Sequence, residues 1–132
     1  MATVQKFEDL EVWKQGRILS KEIHGITRFP EFSKDYSLKD QIGRASGSVM
    51  DNIAEGFERS GNKEFKQFLY ISKGSNGEVR SQLYRALDFN YIDTAKFNEL
   101  FNLSTNIGVL LNNFIAYLAK SEMKGQKYKK RA

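Results

Sequence analysis

The segment from Gln41 to Arg59, QIGRASGSVMDNIAEGFER, constrains the fold more than any other part of the chain. Leu38, Ile42, Ala45, Val49, Ile53 and Phe57 recur at steps of three and four residues, the spacing that gathers side chains on one face of an α-helix. Ser46, Asn52, Glu55, Gly56 and Arg59 fall on that face or at its border, where an ordinary core helix would carry leucine. A polar group in such a place finds a hydrogen-bond partner or costs free energy. The helix is therefore expected to pack against a neighbouring helix or subunit that supplies those partners.

The remaining patterns extend this into a bundle. Pro30 is the one proline in 132 residues, which argues for a few long helices rather than many turns. A first helix is expected from about Asp9 to Thr27, with Leu10, Trp13, Ile18, Leu19, Ile23 and Ile26 inside and Phe7 packing back as a staple. A second runs to about Glu58, with Ser37 as its cap and Asp40 completing a capping box. A third spans about Lys63 to Phe89, where Gly74 and Gly77 lower helix propensity and would be explained by a close helix crossing. A fourth follows the caps Asp93 and Thr94 and ends near Lys120. The expected fold is all-α, an antiparallel up-and-down four-helix bundle over residues 1–119 with a basic tail at 120–132.

Charge divides along the same boundary. Lys120, Lys124, Lys127, Lys129, Lys130 and Arg131 face only Glu122 in the tail, which accounts for the whole formal net charge of +5 and leaves the body neutral. The tail is expected to be partly disordered and to attract phosphate. Cysteine is absent and His24 is the only histidine, so no thiolate or histidine cluster exists for a transition metal, and no cofactor is expected. Gly74-Ser75-Asn76-Gly77 lacks the Lys and Ser/Thr that complete a phosphate loop. Ser48 and Ser75 have no histidine base, so hydrolase chemistry has no support and no enzyme is expected. No leader is expected, and no run of about 18 apolar residues is present. The chain reads as a soluble, cytoplasmic protein with no membrane partner.

Taken together, Phe7-Glu8-Asp9-Leu10-Glu11-Val12-Trp13, Thr27-Arg28-Phe29-Pro30, Gln41-Ile42, Arg44-Ala45, Ser48, Asn52-Ile53-Ala54-Glu55-Gly56 and Arg59, followed by Phe65, Phe68-Leu69, Gly74-Ser75, Glu78, Gln82-Leu83 and Ala86, resemble the 23S ribosomal RNA intervening-sequence proteins. The pattern is altered at Gly43, Gly47 and Met50. The resemblance covers about residues 7–118 and implies a four-helix bundle without catalytic activity, in related members a homopentameric ring. It also extends in fold to accessory subunits of diversity-generating retroelements, which act with a reverse transcriptase and RNA.

Two sets of candidate residues follow. Asn52, Glu55 and Arg59 are expected to form a structural polar network with Glu78 and Gln82 on the third helix. Arg44, Lys63, Lys66, Lys73, Arg80 and Arg85, with the basic residues of the tail, are the candidate nucleic-acid contacts, because phosphate binding needs exposed cations rather than a fixed order. Glu64 and Glu78 are interspersed among the third helix's cations, as on an ordinary solvated face. Phe101, Val109 and Tyr117 widen the apolar surface of the last helix, so a homo-oligomer is expected. The functional expectation is a non-enzymatic, RNA-associated homo-oligomer. Its alternative is a protein-interaction scaffold or accessory subunit.

Overall fold

Burial follows the three-and-four spacing of the sequence closely enough to make four long helices, with informative shifts at their ends. The computed structural model describes residues 4–131, and side chains for 4–121. A 3-10 turn at Phe7–Asp9 precedes α1 (Glu11–Ile26), α2 (Pro30–Lys34), α3 (Tyr36–Glu58), α4 (Asn62–Asp88) and α5 (Thr94–Arg131). The described residues contain no strand. α3 packs on α4, α4 on α5, and α1 closes the ring by contacting both α3 and α5. The result is an all-α, antiparallel up-and-down bundle.

The apolar stripes meet at its centre. Leu19, Ile23, Leu38, Ile42, Ile53, Leu69, Leu83, Leu100, Ile107 and Leu111 are all excluded from solvent. In α1 the buried stripe is Val12, Gly16, Leu19, Ile23 and Ile26, so Ile18, expected inside, is exposed. One residue turns a helix by about 100°, enough to carry it off the stripe. Phe7 does pack back, its ring meeting Trp13 edge-on at 5.1 Å. α5 runs past its expected end near Lys120, so the backbone expected to be partly disordered continues the helix to Arg131. The side chains of Lys124, Lys127, Lys129, Lys130 and Arg131 lie outside the described residues.

The break at Pro30 contains a structure that the hydrophobic pattern does not announce. Proline occupies the first turn of α2, where its missing N–H has no helical acceptor to lose. Asp35 then caps α3, its Oδ1 accepting from Leu38 N at 3.0 Å. This corrects the expected Ser37 cap: α3 starts at Tyr36, which places Ser37 inside the helix, where its hydroxyl accepts from Gln41 Nε2 at 2.9 Å. At the other end of the bundle hairpin, Gly61 joins α3 to α4 with φ of 114°, a left-handed conformation that favours glycine.

Asp35 also ties this end of the bundle together. Tyr91, in the α4–α5 connection, donates its hydroxyl to Asp35 Oδ2 at 2.8 Å and stacks on Phe32 with ring centres 5.0 Å apart. The Leu38 amide and the Tyr91 hydroxyl hold the Asp35 carboxyl below its usual range, and the hydrogen bond to Asp35 pushes the Tyr91 phenol up. A depressed carboxyl pKa contributes stability above its unfolded value and loses it as pH falls through the folded one. Tyr91→Phe should therefore lower the melting temperature by a few degrees at neutral pH. The gap to the parent should narrow in titrations taken below the usual aspartate value of 3.8.

Candidate nucleic-acid interface

The helix pairs are joined by polar seams, half-buried at Ser48 and Asn52 and buried at Ser72, Asn76 and Ser104. Between α3 and α4, Ser48 Oγ and Ser75 Oγ lie 2.8 Å apart, and Asn52 Nδ2 donates to Ser48 O at 2.8 Å and to Ser48 Oγ at 2.9 Å. Ser72 donates to Val49 O at 2.7 Å. Between α4 and α5, Ser104 Oγ donates to Asn76 Oδ1 at 2.7 Å while Asn76 Nδ2 donates to Ser104 O at 2.8 Å. These satisfied groups fix the register of the three helices, because sliding any pair would leave buried donors without acceptors.

The expected network is reorganised accordingly. Asn52 belongs to the serine seam, whereas Glu55 and Arg59 pair with each other at 2.8 Å, each about half exposed. Glu55 lies about 120° round the helix from Val49, too far for it to reach α4's buried face. The hydrogen bond to Glu55 raises the Arg59 pKa, and its guanidinium sits 5.3 Å from the Phe68 ring centre. Glu78 is exposed rather than bridging helices. Gln82 is buried, with Oε1 unpartnered among the described residues. The sequence reading missed Ser72, Asn76 and Ser104, although their spacing from Leu69, Val79 and Ile107 places them on buried stripes.

The candidate cations do not form one patch. Arg44 is exposed on α3 and paired with Asp40 at 3.0 Å, beside an open groove of about 1220 Å³ between α1 and α3 that His24, Arg28, Lys39, Gly43 and Gly47 also line. Arg85 donates to Gln41 Oε1 at 3.2 Å across the α3–α4 border. Lys63 and Lys73 are exposed on α4, Lys66 is half-buried, and Lys120 is exposed on α5. Arg80 is half-buried, its Nη1 3.4 Å from Ser104 Oγ. Gly74 and Gly77 are not at a helix crossing as expected: a Cβ at Gly74 would meet nothing within 4 Å, and one at Gly77 only Arg80 Nη2 at 3.8 Å. The close approach is at Gly56, where a Cβ would stand 2.7 Å from Phe68 Cβ.

Among the described residues no group of three or more histidine, cysteine or carboxylate side chains is placed to hold a metal, and no helix is long and apolar enough to cross a membrane.

Comparison with known proteins gives a consistent fold. The family described as 23S rRNA-intervening sequence protein matches residues 8–113. A crystal structure of a protein of unknown function from the S23 ribosomal protein family of Bacteroides thetaiotaomicron VPI-5482 superposes with a TM-score of 0.74 at 24% identity, over 79% of this chain and 97% of that one. No curated protein matches the chain significantly.

Proposed function

Because the chain belongs to the 23S rRNA-intervening sequence protein family, we propose that it is a non-enzymatic, homo-oligomeric bundle, assembled as a pentamer, that associates with RNA in the cytoplasm. The observation that carries the RNA reading is the distribution of charge: six cations against Glu122 in residues 120–132, on a body that is formally neutral. Net attraction to a polyphosphate then comes from the tail, and assembly multiplies it.

RNA affinity measured at several salt concentrations tests this, with light scattering to count subunits. Binding should weaken with salt at a slope of about −0.7 per phosphate neutralised on a single strand. Deleting residues 124–132 should flatten that slope while leaving the bundle folded and assembled. A truncated protein with unchanged affinity and slope would move the site to the bundle. A monomer at micromolar concentration would remove the oligomer from the proposal.

The exposed Val109 and Tyr117 of α5 favour a second reading, in which the bundle is a scaffold or an accessory subunit, as of a reverse transcriptase. That reading takes over if neither form binds RNA at low salt.

A further inference from the structure

The outer face of α4 carries an ordered alternation of rings and cations. Tyr70, Lys73, Gly77, Arg80 and Tyr84 are separated by three, four, three and four residues and fall within an arc of about 80° on the helix. From Tyr70 to Tyr84 the stripe is about 21 Å long at 1.5 Å per residue. Glu78 and Glu64 lie about 120° and 160° from the middle of the arc, off the stripe, and Asp88 reaches the arc only at its edge, one turn past Tyr84. The folded helix thus separates Glu64 and Glu78 from Lys73 and Arg80, which the linear order mixes.

Each position is suited to binding. Tyr70 is 57% exposed and Tyr84 50%, which leaves ring faces available. Tyr84 is held by Phe97 and Phe101 of α5, with ring centres at 5.0 and 5.6 Å, so one platform is already oriented. Arg80 is steadied by Ser104 and passes over two glycines, a Cβ at Gly77 or at Gly108 coming no closer than 3.8 Å to its guanidinium nitrogens. Neither Lys73 nor Arg80 has a carboxylate partner among the described residues. Bases stack on aromatic faces regardless of sequence while cations follow the phosphates, and a single strand is the polymer that presents both at once.

We infer that this stripe, from Tyr70 to Tyr84 along the border with α5, is a docking site for single-stranded RNA, with the two tyrosines stacking bases and Lys73 and Arg80 contacting phosphates. The inference rests on the RNA-associated reading above and adds to it a short-range site that the tail's diffuse attraction does not provide.

The test is a titration of the full chain with a labelled oligouridylate and with an abasic oligonucleotide of equal length, which keeps the phosphates and lacks the bases. Tyr70→Ala, a substitution at an exposed position, should weaken oligouridylate binding roughly 5- to 100-fold and leave abasic binding unchanged. Lys73→Gln should weaken both and reduce the salt slope by about 0.7. If both variants bind both probes like the parent, the stripe is not the site, although RNA binding through the tail stands. If the parent binds neither probe at low salt, the RNA reading fails and the stripe with it. If Tyr70→Ala alters the subunit count in light scattering, the face is a contact between copies and the inference is overturned.

Discussion

Phe32→Ala is expected to destabilise the protein by about 3–5 kcal/mol, the cost of removing a fully buried ring that its surroundings cannot collapse to replace. Phe32 is 0% exposed although it belongs to a helix of five residues, so its ring, rather than the hydrogen bonds of α2, holds that segment on the bundle. It also supports Tyr91 by stacking, and Tyr91 in turn holds Asp35 at the start of α3. Loss of the ring therefore loosens three connections at one end. Chemical denaturation read by circular dichroism would measure the effect. A loss below about 0.5 kcal/mol, the size of an ordinary surface change, would mean that α2 is held by something else.

Substituting alanine at two glycines should move stability in opposite directions. At Gly74 the added methyl meets nothing within 4 Å, so the helix gains about 1 kcal/mol of propensity with no steric penalty. At Gly56 the same methyl would lie 2.7 Å from Phe68 Cβ, 2.8 Å from Phe65 Cδ1 and 3.3 Å from the Phe65 carbonyl oxygen. A Cβ and a carbonyl cannot rotate aside, so α3 and α4 must separate where they meet. Overpacking of this kind costs about 1–3 kcal/mol, which exceeds the gain in propensity. Gly74→Ala should melt above the parent and Gly56→Ala below it. Equal shifts would show that the α3–α4 corner tolerates the movement.

These two glycines also show what was legible in the sequence. Both interrupt helical patterns, and propensity alone gives them the same cost. Only the neighbour across the gap distinguishes them, and that neighbour is set by tertiary packing. The four long helices and their order were readable because their apolar stripes repeat over many turns. The cap is ambiguous in sequence because Asp35 and Ser37 are both good capping residues two positions apart, and the Tyr91 hydroxyl that also holds Asp35 comes from 56 residues away. The charges of Glu55 and Arg59 suggest a bridge between helices but pair along α3, whereas small hydroxyls and amides make the seams at Ser48, Ser75, Asn76 and Ser104. Short polar side chains fit where two helices touch, but the same residues are common on surfaces and give little signal alone. The ring-and-cation stripe is present in the spacing from Tyr70 to Tyr84, although the linear order interleaves its charges with Glu78.

The circuit of helices has a consequence for how the chain acquires its shape. The junctions α3–α4 and α4–α5 join helices separated by only a few residues, so a growing nucleus pays little loop-closure entropy to make them. The junction between α1 and α5 is different, since it brings together the first and last long helices. Fast assembly of α3, α4 and α5 would thus leave the α5 side of α1 as the final contact to form and the first to open. The bundle has, in effect, a kinetic front and back, although its helices form a closed ring.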